Sequence, residues 1–134
     1  MGKPSSNLTA ANIKYLLVTH ELGQNGSGVH SINIAERLKV SKPSTHEMLH
    51  TLKKRQLICK DSYGLVLFTE EGKRLASKYQ TCFDRLSLHF SKLLPKGTDV
   101  AAVTCALLAE IKIDDVESLC RELNEENNET CNLN

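Results

Sequence analysis

The stretch Val40-Ser41-Lys42-Pro43-Ser44-Thr45-His46-Glu47-Met48-Leu49-His50-Thr51-Leu52-Lys53-Lys54-Arg55 reads as a tight turn followed by a helix. Ser41 or Ser44 can supply the cap, and Ser44-x-x-Glu47 has the capping-box spacing. Pro43 is comfortable only in a first helical turn, where its missing N–H has no partner to lose. Beyond it, Thr45, Met48, Leu49 and Leu52 recur at helical spacing as an apolar seam. The opposite face carries Pro43, Glu47, His50 and Lys54, with His46 and Lys53 on its flank. A short helix with one apolar seam and a face of basic and hydrogen-bonding side chains suits a DNA major groove. Taken alone, it is better read as an ordinary amphipathic surface helix, which is a common object. Its neighbours reverse that reading.

Upstream, Ser31 is placed to cap a short helix over residues 32–38, in which Ile34, Ala35 and Leu38 point inward. Val40-Ser41-Lys42 then makes the turn into the stretch quoted above, which is the helix-turn-helix pattern with the second helix as reader. Downstream, Leu57-Ile58-Cys59-Lys60 and Leu65-Val66-Leu67-Phe68 are short β-prone runs around Asp61-Ser62-Tyr63-Gly64, a good hairpin loop. Helix, reading helix and hairpin in that order predict a winged helix, with Lys60 and Tyr63 on or near the wing, where backbone and minor-groove contacts are made. Between Lys42 and Lys60 there are five basic residues against Glu47 alone. Such a local basic patch matters more for nucleic acid than total charge does. A solvated charged face is the plainer account of it.

The rest of the chain reads as helices. Thr9 to Leu22 forms a first one, with Ile13, Leu16, Leu17 and either His20 or Leu22 inward, and Gly23-Gln24-Asn25-Gly26-Ser27-Gly28 ends it in a flexible loop. A long helix from Thr69-Glu70-Glu71-Gly72 to about Leu94 carries the seam Leu75, Ala76, Tyr79, Cys82, Phe83, Leu86, Phe90 and Leu93 or Leu94, and Pro95-Lys96-Gly97 stops it. Thr98 caps a helix over residues 99–110 that is apolar almost all round and must therefore be buried. Asp114-x-x-Glu117 caps a last one, with Val116, Leu119, Cys120 and Leu123 inward. The expected organisation is a winged-helix DNA-binding domain over 1–72, a helical dimerisation region over 73–124 and a loose polar tail over 125–134. The fold class is mostly α with a small β wing, and dimerisation is the simplest outlet for so much apolar helix surface.

Size and composition agree. At 134 residues with 40% apolar content, the chain can bury one real core. No apolar run approaches the roughly 20 residues of a membrane span, and Met1-Gly2-Lys3-Pro4-Ser5-Ser6 lacks a signal-peptide core, so a cytoplasmic protein is expected. The net charge of +1 hides an asymmetry: residues 1–72 hold nine Lys/Arg against six Asp/Glu, and residues 73–134 hold eight against ten. Five cysteines (59, 82, 105, 120 and 131) contain no C-x-x-C pair, which argues against a disulfide framework or a structural zinc. Most are expected to be small buried hydrophobes. An enzyme is not expected, because no nucleophile–base pair, phosphate loop or convergent carboxylate pair is present.

From about residue 8 to 124 the chain resembles the iron- and manganese-dependent transcriptional repressors of the diphtheria-toxin-repressor type. The resemblance rests on Ile34-Ala35-Glu36-Arg37-Leu38-Lys39-Val40-Ser41, on Pro43-Ser44 followed by Met48-Leu49 and Leu52, on Gly64-Leu65-Val66-Leu67, and on Thr69-Glu70-Glu71-Gly72-Lys73-Arg74-Leu75-Ala76. The order of elements is similar to the short, manganese-type architecture, without the C-terminal domain of longer members. The resemblance implies a homodimer on double-stranded DNA, touched by Ser41, Pro43, Ser44, His46 and Glu47. Together with the turn and wing, the candidate DNA-binding set is Ser41, Lys42, Pro43, Ser44, His46, Glu47, His50, Lys54, Lys60 and Tyr63. Glu47 departs from the family, whose side chain there is uncharged or basic; a carboxylate accepts from a cytosine amino group but repels phosphate.

The resemblance also implies a divalent transition metal (Mn, Fe or Zn), but the usual ligands are mostly missing. The first-helix ligand position falls on Ala10 or Ala11, the long-helix position on Phe83-Asp84, and the last motif on Ala101 to Ala106, where Cys105 is the one good donor. Candidates for an altered, softer site are Asp84, Cys105, His89 and Cys82, each of which also has a plain reading: the cysteines as core, Asp84 and His89 as solvent-facing. Two alternatives stand beside the DNA-binding regulator. One is a winged-helix protein-interaction adaptor, separated from it by salt-dependent binding to duplex DNA. The other is a redox-responsive regulator acting through Cys82, Cys105 or Cys120, which cysteine acidity and exposure decide.

Overall fold

A reciprocal pair of hydrogen bonds starts the first helix. The Thr9 N–H donates to Asn12 Oδ1 at 3.0 Å and the Asn12 N–H donates to Thr9 Oγ1 at 3.0 Å, which satisfies two of the orphan amides. Thr9 is therefore the cap, and α1 spans Ala10–Leu22. The structure, a computed structural model, describes residues 7–132, with side chains up to residue 125. Its order is α1, α2 (Ser31–Leu38), α3 (Lys42–Lys54), β1 (Ile58–Lys60), β2 (Val66–Phe68), α4 (Glu70–Leu93), α5 (Val100–Glu110) and α6 (Ile113–Asn132). This is the mostly helical fold with a small two-stranded wing that the sequence predicts.

The described chain forms two compact units, one of residues 14–77 and one of residues 7–13 with 78–132. The division falls inside α1 and α4: the start of the first helix groups with the C-terminal helices.

In the unit of residues 14–77, α2 packs on α3, α3 packs on β1, and β1 pairs antiparallel with β2. The register sets Ile58 opposite Phe68, Cys59 opposite Leu67 and Lys60 opposite Val66. Val29 adds a one-residue bridge to β2, exchanging hydrogen bonds of 2.9 and 2.8 Å with Val66. The loop expected over residues 23–28 therefore leads into a third sheet partner. The core is Leu16, Leu17, Val29, Ile34, Ala35, Leu49, Leu52, Leu57, Ile58, Val66, Leu75 and Ala76, all buried. Of the inward residues expected in α1–α3, His20, Leu22, Leu38 and Met48 are half-buried, Thr45 is buried, and Ile13 is buried in the other unit.

The turn between α2 and α3 explains their crossing. Lys39 takes a left-handed conformation (φ 57°), its N–H bonding the Glu36 carbonyl at 3.2 Å, and the Val40 N–H bonds the Ala35 carbonyl at 3.1 Å. This double closure ends α2, and Ser41 then caps α3 by accepting from the Ser44 N–H at 3.1 Å. Of the two serines open to this role, Ser41 fills it. Ser31 is not the cap of α2; it is the first helical residue, and the cap position is His30, whose side chain makes no cap bond.

The start of α4 is locked onto β1. Thr69 donates its N–H to the Leu57 carbonyl (3.1 Å) and its hydroxyl to the Gln56 carbonyl (2.8 Å), and accepts from the Gly72 N–H at 3.0 Å. A Cβ on Gly72 would lie 1.8 Å from the Leu57 carbonyl oxygen, so only glycine lets the two backbones approach this closely.

In the other unit, Leu8, Ile13, Tyr79, Cys82, Leu86, Cys105, Leu108 and Val116 are buried, and Asn7 Nδ2 donates to the Ala109 carbonyl at 3.2 Å. The seam expected along α4 fades toward its end: Phe83 and Phe90 are half-buried and Leu93 is exposed. Asp99 caps α5 by accepting from the Ala102 N–H at 3.1 Å, while Thr98 donates its hydroxyl to the Pro95 carbonyl. Asp is the stronger acceptor at a cap and wins over its neighbour. The last helix starts at Ile113, so Asp114 lies in its first turn, where a carboxylate still favours the helix dipole. That helix continues through residues 125–132, where the sequence reading has a loose tail; residues 133 and 134 lie outside the described residues. Among the described residues no helix is long and apolar enough to cross a membrane.

Candidate nucleic-acid interface

Amphipathic patterning in α3 puts Thr45, Leu49 and Leu52 in the core and so forces the opposite face outward. All ten residues of the candidate set are exposed: Ser41, Lys42, Pro43, Ser44, His46, Glu47, His50 and Lys54 along α3 and its cap, and Lys60 and Tyr63 on the hairpin. Ser41 and Ser44 lie together, their hydroxyls 2.9 Å apart, with Pro43 in the first turn between them. The α3 N-terminus thus presents two hydroxyls and Lys42 at the positive end of a helix dipole.

The wing tip is fixed by one carboxylate. Asp61 Oδ1 accepts from the Tyr63 N–H at 2.8 Å and the Leu65 N–H at 2.9 Å, and the Gly64 N–H bonds the Asp61 carbonyl at 3.0 Å. Gly64 sits at φ 80°, which gives the turn its left-handed step. Tyr63 is 89% exposed, an aromatic ring held in solvent with no packing reason to be there.

Two residues outside the candidate set lie beside it. Ser31 and Ile32, at the start of α2, join Lys42, Thr45 and His46 around a recess of about 290 Å³. Ile32 is 41% exposed although α2 buries Ile34 and Ala35 beside it. The available signal was the apolar residue directly after Ser31, out of phase with the inward face of α2.

The metal candidates do not converge. Cys82 and Cys105 are buried, and Asp84 and His89 are exposed. The Cys82 thiol donates to the Val116 carbonyl at 3.3 Å, Asp84 accepts from Gln80 Nε2 at 2.8 Å, and the His89 ring lies beside Phe90. Among the described residues no three His, Cys, Asp or Glu side chains come together in a way that could hold a metal ion. Burial, helped by a hydrogen bond and charge repulsion from Cys120 and opposed by Arg85, pushes the Cys82 thiol up to about 12, so it is not a ready thiolate ligand. Among the described residues, the candidates do not form the donor set that the resemblance implies. Of the remaining cysteines, Cys120 is half-buried and Cys59 exposed, so two of the four described cysteines are fully buried. Cys131 lies outside the described side chains.

A helix-turn-helix closed by a β-wing defines the class: a winged-helix domain followed by helices. The comparisons agree at the level of fold. The chain is similar to the manganese regulator SloR (25% identity, TM-score 0.68, covering 84% of this chain and 53% of SloR). It is also similar to the metal-dependent transcriptional regulator MtsR (19% identity, TM-score 0.67, 87% and 55% covered). A third likeness is to the hypothetical protein SSo2273 from Sulfolobus solfataricus (21% identity, TM-score 0.59, 88% and 91% covered). The chain spans about half the length of SloR and MtsR. No protein-family model matches the sequence, and no curated protein does. The fold is thus the one that solved metal-dependent transcriptional regulators use.

Proposed function

We propose that this protein is a sequence-specific DNA-binding transcriptional regulator, a repressor that works as a cytoplasmic homodimer, and that it has lost the metal coupling of the regulators whose fold it shares. The observation that carries the reading is the exposed face of α3, where a Ser41-capped N-terminus, Lys42, His46, His50 and Lys54 share one surface with no packing role. Lys42, Ser41 and Ser44 hold the phosphate backbone at the helix N-terminus. Glu47 and His50 face base edges, and Glu47 selects a cytosine amino group. Lys60 and Tyr63 grip the backbone beside the wing. The likeness to SloR and MtsR supports this reading through the fold.

Dimerisation follows from α5. Although it is apolar all round, Ala101, Ala106 and Leu107 remain exposed in the single chain, and a second copy covers them. The lack of converging donors among the metal candidates supports a metal-independent regulator. Substitution tests the reading. Lys54→Ala or Lys60→Ala lowers affinity for every duplex and flattens the salt dependence by about one unit for each phosphate no longer neutralised. His50→Ala or Glu47→Gln changes which sequence is preferred. DNA binding untouched by all four changes would remove α3 as the reader.

A further inference from the structure

Two of the cysteines are arranged reciprocally across α4 and α6. Cys82 Sγ, on α4, donates to the carbonyl of Val116, four residues before Cys120 on α6. Cys120 Sγ contacts the carbonyl of Lys78, four residues before Cys82, at 4.0 Å. Each sulfur therefore lies over the helical turn that precedes the other. The Lys78–Glu117 ion pair joins the same two turns. Neither cysteine takes part in the DNA-facing surface, and no metal cluster includes them among the described residues.

We propose that Cys82 and Cys120 form a peroxide-oxidised dithiol that closes to a disulfide tying α4 to α6. The two sulfurs have different roles, set by exposure. Cys120 is half-buried and reachable, whereas Cys82 is fully buried. The Cys120 thiolate attacks hydrogen peroxide; the O–O bond breaks, the sulfur becomes a sulfenic acid, and the departing hydroxide takes a proton to leave as water. Cys82 then attacks the sulfenic sulfur, its proton passing to the departing hydroxyl, which leaves as a second water. Two thiols lose two electrons, and one peroxide is reduced to two waters. Burial keeps Cys82 out of reach of peroxide, so Cys120 is oxidised first and Cys82 is left to resolve it. Placement of the two sulfurs on facing turns makes the second step intramolecular, ahead of further oxidation of the sulfenic acid.

Peptide mapping of the folded full chain tests this. The reduced protein is titrated with hydrogen peroxide, alkylated under denaturing conditions, digested without reductant and analysed by mass spectrometry, taking only the monomer band of a non-reducing gel. The expected result is a Cys82–Cys120 crosslinked peptide, lighter than its separate halves by two hydrogens (about 2 Da) and separated again by dithiothreitol. Cys59 serves as the exposed internal reference. Cys82→Ala should convert the product into irreversibly oxidised Cys120. The proposal is overturned if Cys120 reaches the sulfinic state in wild type while Cys82 stays alkylatable. It is equally overturned if both remain thiols at a peroxide dose that oxidises Cys59 fully, or if either cysteine pairs elsewhere.

Discussion

Replacing Gly72 by alanine should destabilise the winged unit, although alanine is the better helix former. The new Cβ would sit 1.8 Å from the Leu57 carbonyl oxygen, 2.8 Å from the Leu57 carbonyl carbon and 3.0 Å from Phe68 Cδ1. Non-bonded heavy atoms rest at about 3.5–4.0 Å, so the start of α4 or the Leu57 backbone must retreat by well over an ångström. That retreat stretches the two bonds of Thr69 to this backbone, from its N–H to the Leu57 carbonyl at 3.1 Å and from its hydroxyl to the Gln56 carbonyl at 2.8 Å. Losing them costs about 1 kcal/mol each, and overpacking a backbone contact adds about 1–3 kcal/mol. The gain from replacing glycine inside a helix is only about 1 kcal/mol. The steric cost wins, for a net loss of roughly 2–4 kcal/mol, a large share of the ~5–15 kcal/mol available to a domain. Urea unfolding followed by far-UV circular dichroism measures it, with Gly26→Ala as the reference. At Gly26 nothing lies within 4 Å of the added carbon, and only the positive φ (83°) opposes it, for about 1 kcal/mol. A Gly72→Ala protein as stable as wild type, or more stable, would refute the close approach of α4 to β1.

Three further outcomes are expected. Leu107→Asp, at a half-exposed position on α5, should weaken a dimer by tenfold or more, about 1.4 kcal/mol, as sedimentation at micromolar concentration would show. Adding Mn²⁺ or Fe²⁺ to chelator-treated protein should change DNA affinity less than about fivefold, the lower bound of a real coupling, as an anisotropy titration would read. The last concerns Cys82, whose thiol rises from 9.0 in the unfolded chain to about 12 when folded. The folded state holds that proton more tightly, so its stabilising effect is complete below pH 9 and is lost as pH rises toward 12. Under reducing conditions, Cys82→Ala should therefore lose about 1 kcal/mol less stability than wild type between roughly pH 8 and 10, measured by urea unfolding at each pH.

Much of the wing unit is legible in the sequence because its signals are local. Pro43, the serine cap and the Thr45–Leu52 seam sit within three helical turns, and Asp61 to Gly64 carries its own turn chemistry. The Val29 bridge is not legible, since one paired residue between Gly28 and His30 leaves no alternation to read. The division inside α1 is equally hidden: Leu8 and Ile13 look like any helical seam, and their grouping with residues 78–132 depends on partners distant in sequence. Residues 125–132 are helical where polarity suggests a loose tail; glutamate is a good helix former, and no Gly or Pro interrupts the run. The ten candidate DNA-binding residues were readable as an exposed face, whereas Ser31 and Ile32 required the α2–α3 crossing to bring them to Lys42 and His46. The Cys82–Cys120 pair joins residues far apart in sequence, which spacing alone cannot match.

The central claim is that α3 and the wing read DNA, and it is tested most directly by the affinity of the reduced, chelator-treated full chain for two duplexes. One carries a site selected by the protein from a random pool, and the other is its scrambled counterpart. Both are titrated from about 50 to 200 mM salt. The account predicts a selected site bound at least about a thousandfold more tightly than the scrambled one, with affinity for both falling steeply as salt rises. Failure to enrich any sequence, with weak binding that does not respond to salt, would contradict it and leave the winged fold serving a protein partner.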